Sequence, residues 1–222
     1  MHSRCVLVFA LSPDREAASK RIRGGAPLFE QCILRIQAEV AKLADVDLVL
    51  VDETRQRGGS FGERLESAFA DARARGWREI VAVPGDVPGL ESRHLEAAFA
   101  ALRRSELVLG PSPDGGVWLI GARGDVATAF AGVPWRTAGV LEQLLRNVAS
   151  SELLAPLADV DRPDDLHQLA RDASLDRAML SCIRAVLATA REATSDPEFV
   201  PDALLVVRAH PSHAPPRSLA AV

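Results

Sequence analysis

The sequence predicts an α/β protein, a mainly parallel sheet sandwiched between helical layers. Three observations carry that expectation. Short apolar runs of strand length recur at residues 5–10, 46–51, 80–83, 107–109 and 117–121. Stretches with apolar residues at helical spacing separate the first four runs. Strand, helix, strand, helix, strand is the pattern of a right-handed wound sheet.

Each element has a local reason. Residues 5–10 (CVLVFA) suit a first, central strand, and residues 11–15 break it ahead of a basic patch at Lys20, Arg21 and Arg23. Leu28, Cys32, Ile33, Ile36, Val40 and Leu43 then line one face of a helix over 27–43, with Pro27 in its first turn. The strand 46–51 leads into a charged, flexible loop at 52–59. Ser60 followed by Glu63 is a capping-box pattern that starts a helix over 61–75, and Gly76 stops it. A strand at 80–83, a helix over 91–103 and strands at 107–109 and 117–121 follow. Beyond Gly121 the alternation loosens. Residues 126–130 are briefly helical and 132–135 form a turn. Val140, Leu141, Leu144, Leu145 and Val148 share a face of a helix over 137–149. Another helix opens at 162–166, and a terminal amphipathic helix spans 174–191. From Ser195 onward come Pro197, Pro201, Pro211, Pro215 and Pro216, with an apolar patch at 203–207 read as an edge strand or a mobile segment. The organisation expected is one domain over 1–194 and a Pro-rich extension over 195–222, partly disordered. No internal repeat is evident.

Composition narrows the class. With 222 residues, 48 % apolar and 25 % charged, the chain can bury a full core as a soluble globular protein. A formal charge of -4 argues against a general nucleic-acid binder, which carries a basic excess. Nearly all cations are Arg, Lys20 and Lys42 being the only lysines. Cys5, Cys32 and Cys182 are odd in number and lack metal-ligand spacing, so small buried thiols are expected. No apolar stretch reaches membrane-spanning length, and the amino terminus enters a strand without a signal-peptide pattern. A cytoplasmic protein with no membrane association is the expectation.

The chemistry concentrates in the loops. Asp86 sits in Pro84-Gly85-Asp86-Val87-Pro88-Gly89, just after an apolar strand, where ligands of open α/β sheets bind. An Asp in such a turn also commonly bonds its own backbone or caps the next helix. Asp114-Gly115-Gly116 lies in a second loop, where Asp-Gly is also a plain hairpin signal. Two separated acidic loops, Asp86 and Asp159-Val160-Asp161, together with Arg-rich loops, suggest a phosphate ligand bridged by Mg²⁺ or Mn²⁺. Such hard cations take one or two carboxylates and fill their shell with phosphate oxygens and water. Lys20, Arg21 and Arg57, with the backbone N–H groups of Gly58 and Gly59, are candidates to hold the phosphates, although each Arg alone also suits a solvated surface. Asp164 and Asp165 look like first-turn helix acids, and His94 and His167 like surface helix residues.

These residues also form a recognisable series. Residues 56–65 (QRGGSFGERL), 85–90 (GDVPGL), 109–121 (LGPSPDGGVWLIG), 133–140 (VPWRTAGV) and 159–166 (DVDRPDDL) resemble, in order, five motifs of the DUF2064 family. These are GT-A-like transferases known as rSAM/selenodomain-associated or arsenosugar-biosynthesis-type glycosyltransferases. Their wider kin are nucleotide-diphospho-sugar transferases, molybdenum-cofactor and phospholactate nucleotidyltransferases among them. The resemblance covers about half of the chain. It implies a GT-A / nucleotide-diphospho-sugar transferase fold, Asp86 as the metal aspartate and Asp161 as a second acidic ligand near the diphosphate. It also implies that Asp114, Gly115, Gly116 and Trp118 line the sugar or acceptor side. The chain departs from the family at 10–22, where a Lys and a Pro-Gly turn are missing and Lys20-Arg21 keep part of a Lys-Thr-Arg element. The expected activity is metal-dependent transfer of a sugar from a nucleotide-activated donor to a small-molecule acceptor. The alternatives are nucleotidyl transfer to a phosphorylated small molecule with release of pyrophosphate, and a degenerate member that binds nucleotide without turnover.

Overall fold

The computed structural model describes residues 3–195. Its six strands are β1 (Arg4–Phe9), β2 (Val46–Val51), β3 (Glu79–Val83), β4 (Leu107–Pro111), β5 (Val117–Ala122) and β6 (Ser151–Leu153). They form one sheet in the order β2-β1-β3-β5-β4-β6. β1 pairs in parallel with β2 and with β3, and β4 in parallel with β6. β5 runs antiparallel to both of its neighbours. Residues 112–116 are too few for a crossover, which takes a dozen or more residues, so β4 and β5 must form a hairpin. The sheet is therefore mixed and mostly parallel.

Three layers follow from the alternation of side chains along the strands. Leu7, Phe9, Ile80, Ala82, Leu109 and Ile120 face one way, against Leu65 and Phe69 of α3 (Phe61–Ala74) and Leu144 of α6 (Val140–Asn147). Val6, Val8, Val81, Val83 and Val108 face the other way, against Ile36 of α2 (Ala26–Val40) and Leu95 and Phe99 of α4 (Ser92–Leu102). Outside α2 lies a further cluster. There α1 (Pro13–Ser19), α7 (Asp165–Leu169) and α8 (Arg177–Ser195) bury Ala17, Phe29, Leu166, Met179 and Ile183 together. The remaining helix, α5 (Ala127–Phe130), packs beside α6. Among the described residues no helix is long and apolar enough to cross a membrane.

Several boundaries differ from the sequence expectation, each for a local reason. The segment after β1 is not a plain break, because Pro13 at the first position and Asp14 and Glu16 in the first turn start α1. The helix expected over 137–149 begins only at Val140. Thr137 donates its hydroxyl to Pro134 O at 2.7 Å and accepts from Gly139 N at 3.2 Å, which holds a turn instead. The capping box at Ser60 and Glu63 forms as expected. His94 is half-buried on its helix: its Nδ1 accepts from Glu91 N at 3.0 Å, and its ring lies 5.8 Å from that of Trp118. β6 is a three-residue addition with no apolar run to announce it. The expected edge strand at 203–207 and nearly all of the Pro-rich extension lie outside the described residues.

Trp118 fills the sheet interior on the α4 side. It is fully buried, and its indole donates to Ala155 O at 3.3 Å. Gly110 on β4 makes the room, since a Cβ there would stand 2.4 Å from the indole ring. Trp118→Ala should lower the unfolding free energy by about 3–5 kcal/mol, the scale for deleting a buried aromatic side chain. The shift of the urea midpoint at unchanged slope would measure it.

Candidate functional site

The carboxyl ends of β1, β2, β3 and β4 and the amino end of β5 share one edge of the sheet, the position where open α/β sheets hold ligands. Asp86 lies three residues past the end of β3. Gly85 brings the chain there close to β1: a Cβ on it would stand 2.8 Å from Ala10 Cβ and 3.3 Å from Ile33. Asp86 is consequently buried. Its backbone oxygen accepts from Val160 N at 3.0 Å, which fastens the second acidic loop against the first.

Lys20 joins the two loops. It is the C-cap residue of α1, and its Nζ lies 5.8 Å from the centre of the Phe29 ring. The ammonium donates to Asp86 Oδ2, to Val160 O at 2.5 Å and to Asp161 Oδ1 at 3.0 Å. Glu16, one helical turn earlier, stands 3.3 Å away. Asp161 is itself held by its turn, where Asp165 Oδ2 accepts from Asp161 N at 2.8 Å and from Arg162 N at 2.7 Å. Asp165 thus acts as the first-turn helix acid expected of it. Asp159 completes the group, accepting from Ser112 Oγ at 2.9 Å.

The electrostatics are unbalanced. Glu16, Asp86 and Asp161 surround one ammonium, and Asp159 lies close enough to feel the charges of Asp86 and Asp161. Burial pushes Asp86 above the usual carboxylate range against the pull of Lys20. Glu16 is raised by burial as well. Asp159 is pushed up to about 7, by burial first and then by the charges of Asp86 and Asp161. Lys20 is held firmly protonated, because the attraction of Asp86, Asp161 and Glu16 exceeds the penalty of its burial. Asp86 Oδ1 is buried with no hydrogen-bond partner. A buried acceptor without a donor is costly, and it calls for an ion, a water or a ligand.

That orphaned oxygen bears on whether a divalent cation fits. Among the described residues no three His, Cys, Asp or Glu side chains are grouped to hold a metal by themselves. Mg²⁺ and Mn²⁺ at phosphate sites need fewer protein ligands, since one or two carboxylates suffice beside phosphate oxygens and water. Asp86 and Asp161, both reaching the same ammonium, meet that requirement.

The other expected residues fall elsewhere. Arg21 is exposed and adopts a left-handed conformation, φ 57°. Arg57 turns away from the acids to pair with Asp71 on α3. It lines a cavity of about 530 Å³ beside β2, rimmed also by Arg55 and Arg75, and none of Lys20, Asp86, Asp159 or Asp161 borders that cavity. The N–H of Gly59 is already spent on Glu63 Oε2 at 2.7 Å, so the capping box removes it from phosphate binding. Gly58 lies in the same exposed turn. Asp114 is exposed and accepts from Gly116 N at 2.9 Å, the bond of a turn residue. Gly115 packs against Ala138. Trp118, fully buried, has no face to offer a sugar or an acceptor. Glu16 and Ser112 join the cluster, together with Asp159 of the expected acidic loop. The i,i+4 spacing of Glu16 and Lys20 and the Asp-x-Asp spacing of Asp159 and Asp161 are the signals that point to them. Glu53 also enters the edge, accepting from Ser12 N and Ser12 Oγ, both at 2.7 Å.

Comparison with known proteins agrees with this architecture. The family model described as "Uncharacterized protein conserved in bacteria (DUF2064)" matches residues 5–137, and the chain belongs to that family. A 3-phospho-D-glycerate guanylyltransferase from Phenylobacterium zucineum (strain HLK1) is 32 % identical over 133 residues. That match covers 55 % of this chain and 57 % of the relative. The crystal structure of a candidate nucleotide-diphospho-sugar transferase from Desulfovibrio desulfuricans G20 superposes with a TM-score of 0.72 at 24 % identity. The superposition covers 86 % of this chain and 98 % of that one, so the two share a fold.

The position of Asp159 makes stability depend on pH. Between its ordinary value of 3.8 and about 7, the folded protein keeps a proton on Asp159 that the unfolded chain releases. Its contribution therefore falls as pH rises through that window and is constant above it. Asp86, also raised, adds a dependence of the same sign. Without added metal, Asp159→Asn should narrow the gap in Tm between about pH 5 and about pH 7.5, read by thermal melts of both proteins. An unchanged gap would remove Asp159 as its source.

Proposed function

We propose that this chain is a metal-dependent nucleotidyltransferase that joins the nucleoside monophosphate of an NTP to a phosphorylated small acid. The observation that carries the reading is the acidic cluster at the sheet's carboxyl edge, with Asp86 and Asp161 directed at one point and Asp86 Oδ1 left without a partner. The guanylyltransferase relative supports this chemistry over sugar transfer. In the reaction, an acceptor phosphate oxygen attacks the α-phosphorus. The bond from the α-phosphorus to the oxygen bridging it to the β-phosphorus breaks, and pyrophosphate leaves with the electron pair. Asp86 and Asp161 would hold a divalent ion, Mg²⁺ or Mn²⁺, which supplies Lewis-acid stabilisation of the triphosphate and of the leaving pyrophosphate. Lys20 stands beside that position and remains the phosphate contact in this reading, whereas Arg57 and Gly59 leave it. The Asp114–Gly116 turn, at the amino end of β5, is assigned to the acceptor side.

Glycosyl transfer is the second reading, favoured by the five ordered blocks that resemble glycosyltransferases of this family. The two differ in their leaving group. Incubation with GTP, 3-phospho-D-glycerate and Mg²⁺ or Mn²⁺ should release pyrophosphate. Release of a nucleoside diphosphate from a nucleotide sugar, with none of pyrophosphate from any NTP, would instead establish the second. Asp86→Asn should reduce metal-dependent turnover at least about a hundredfold, the scale of losing one preorganised electrostatic contact. Turnover that survives this substitution in a folded protein would defeat both assignments of Asp86.

A further inference from the structure

Lys20 sits on the two carboxylates assigned above to the divalent ion. An ammonium has three protons, and here they go to Asp86 Oδ2, Val160 O and Asp161 Oδ1. One oxygen of each carboxylate assigned above to the divalent ion, Asp86 Oδ2 and Asp161 Oδ1, is thus already taken. None of the three protons is left for Asp86 Oδ1, which accounts for its lack of a donor. A divalent ion bound to the same oxygens would touch the ammonium, and two cations in contact repel. An ion held by the other oxygens of the same two carboxylates would still stand beside the ammonium and be repelled by it.

The chain gives Lys20 a way out. It is not a helix-interior residue: it ends α1, and Arg21 then reverses the backbone with φ 57°. Its long, flexible stem carries the charge as a compact point that can be re-aimed by side-chain rotation alone. Triphosphate oxygens arriving at the sheet edge would offer the ammonium new acceptors just as they complete the shell of the metal.

We propose that Lys20 is the resident cation of this site until nucleotide binds, when it is exchanged for the divalent ion and transferred to the phosphates. The exchange rests on the metal-dependent reading above. It makes Lys20 a guard against metal binding in the free protein, so that metal and nucleotide bind cooperatively.

Direct titration of Mn²⁺ into nucleotide-free protein, followed by electron paramagnetic resonance of the unbound ion, tests this. Wild type should bind weakly. Lys20→Met and Lys20→Gln should each bind at least tenfold more tightly, and Mn²⁺ should raise their Tm more than it raises that of wild type. Asp86→Asn should bind no better than wild type. If both Lys20 variants bind Mn²⁺ no more tightly than wild type while Asp86→Asn abolishes binding, the exchange is overturned and the metal site stands. If none of these proteins binds Mn²⁺, with or without GTP, the exchange and the metal-dependent reading fall together. Should the uncharged variants unfold without metal, recovery of a cooperative melt on adding Mn²⁺ would support the exchange, and no recovery would overturn it.

Discussion

A single buried ammonium holds three parts of the chain at one point. Lys20 comes from the end of α1, Asp86 from the end of β3, and Val160 and Asp161 from the connection between β6 and α7. Asp86 needs that positive charge beside it, because it is buried and its ionised form is penalised. Removing one partner of such a group leaves the others uncompensated, a larger loss than any surface ion pair entails. The same arrangement leaves more negative charge than it neutralises.

The sheet supplies the rigidity behind that balance. β1 and β3 are buried on both faces and carry the loops of Asp86 and residues 10–12 on their ends, so these loops start from fixed positions. Family membership and the shared fold describe the same frame from outside. Neither distinguishes transfer of a nucleotide from transfer of a sugar. The leaving group and the acceptor carry that distinction, and function belongs to the site rather than to the scaffold.

How much of this the sequence discloses depends on range. The strands and longer helices are legible because periodicity and caps are local. Asp86 is legible because a Gly-Pro turn after an apolar strand already fixes its place at the sheet edge. Asp159 is legible only as part of an acidic loop, since its burial beside Asp86 is a tertiary fact. α1 is too short for a helical period to register. Arg57 shows the converse limit: sequence marks it as a phosphate ligand, but a long side chain chooses among acceptors, and Asp71 lies within reach on the neighbouring helix. Trp118 misleads for a related reason. Alternation along β5 sends it to one face of the sheet, and the missing side chain of Gly110 on the adjacent strand turns that face into a closed slot.

The reversed β5 has a further consequence, for the order in which the molecule assembles. β4 and β5 meet across a short turn, so their contacts are local and need little loop closure. The pairing of β1 with β3 joins Cys5 to Ile80, and β6 reaches β4 across another long connection. Contacts of high sequence separation are the slow ones. Ser112 belongs to the local hairpin, while Asp86 and Lys20 depend on the distant pairings. The mutually repelling acids are therefore brought together only as those pairings close, and the acidic cluster is a late product of folding rather than an obstacle to it.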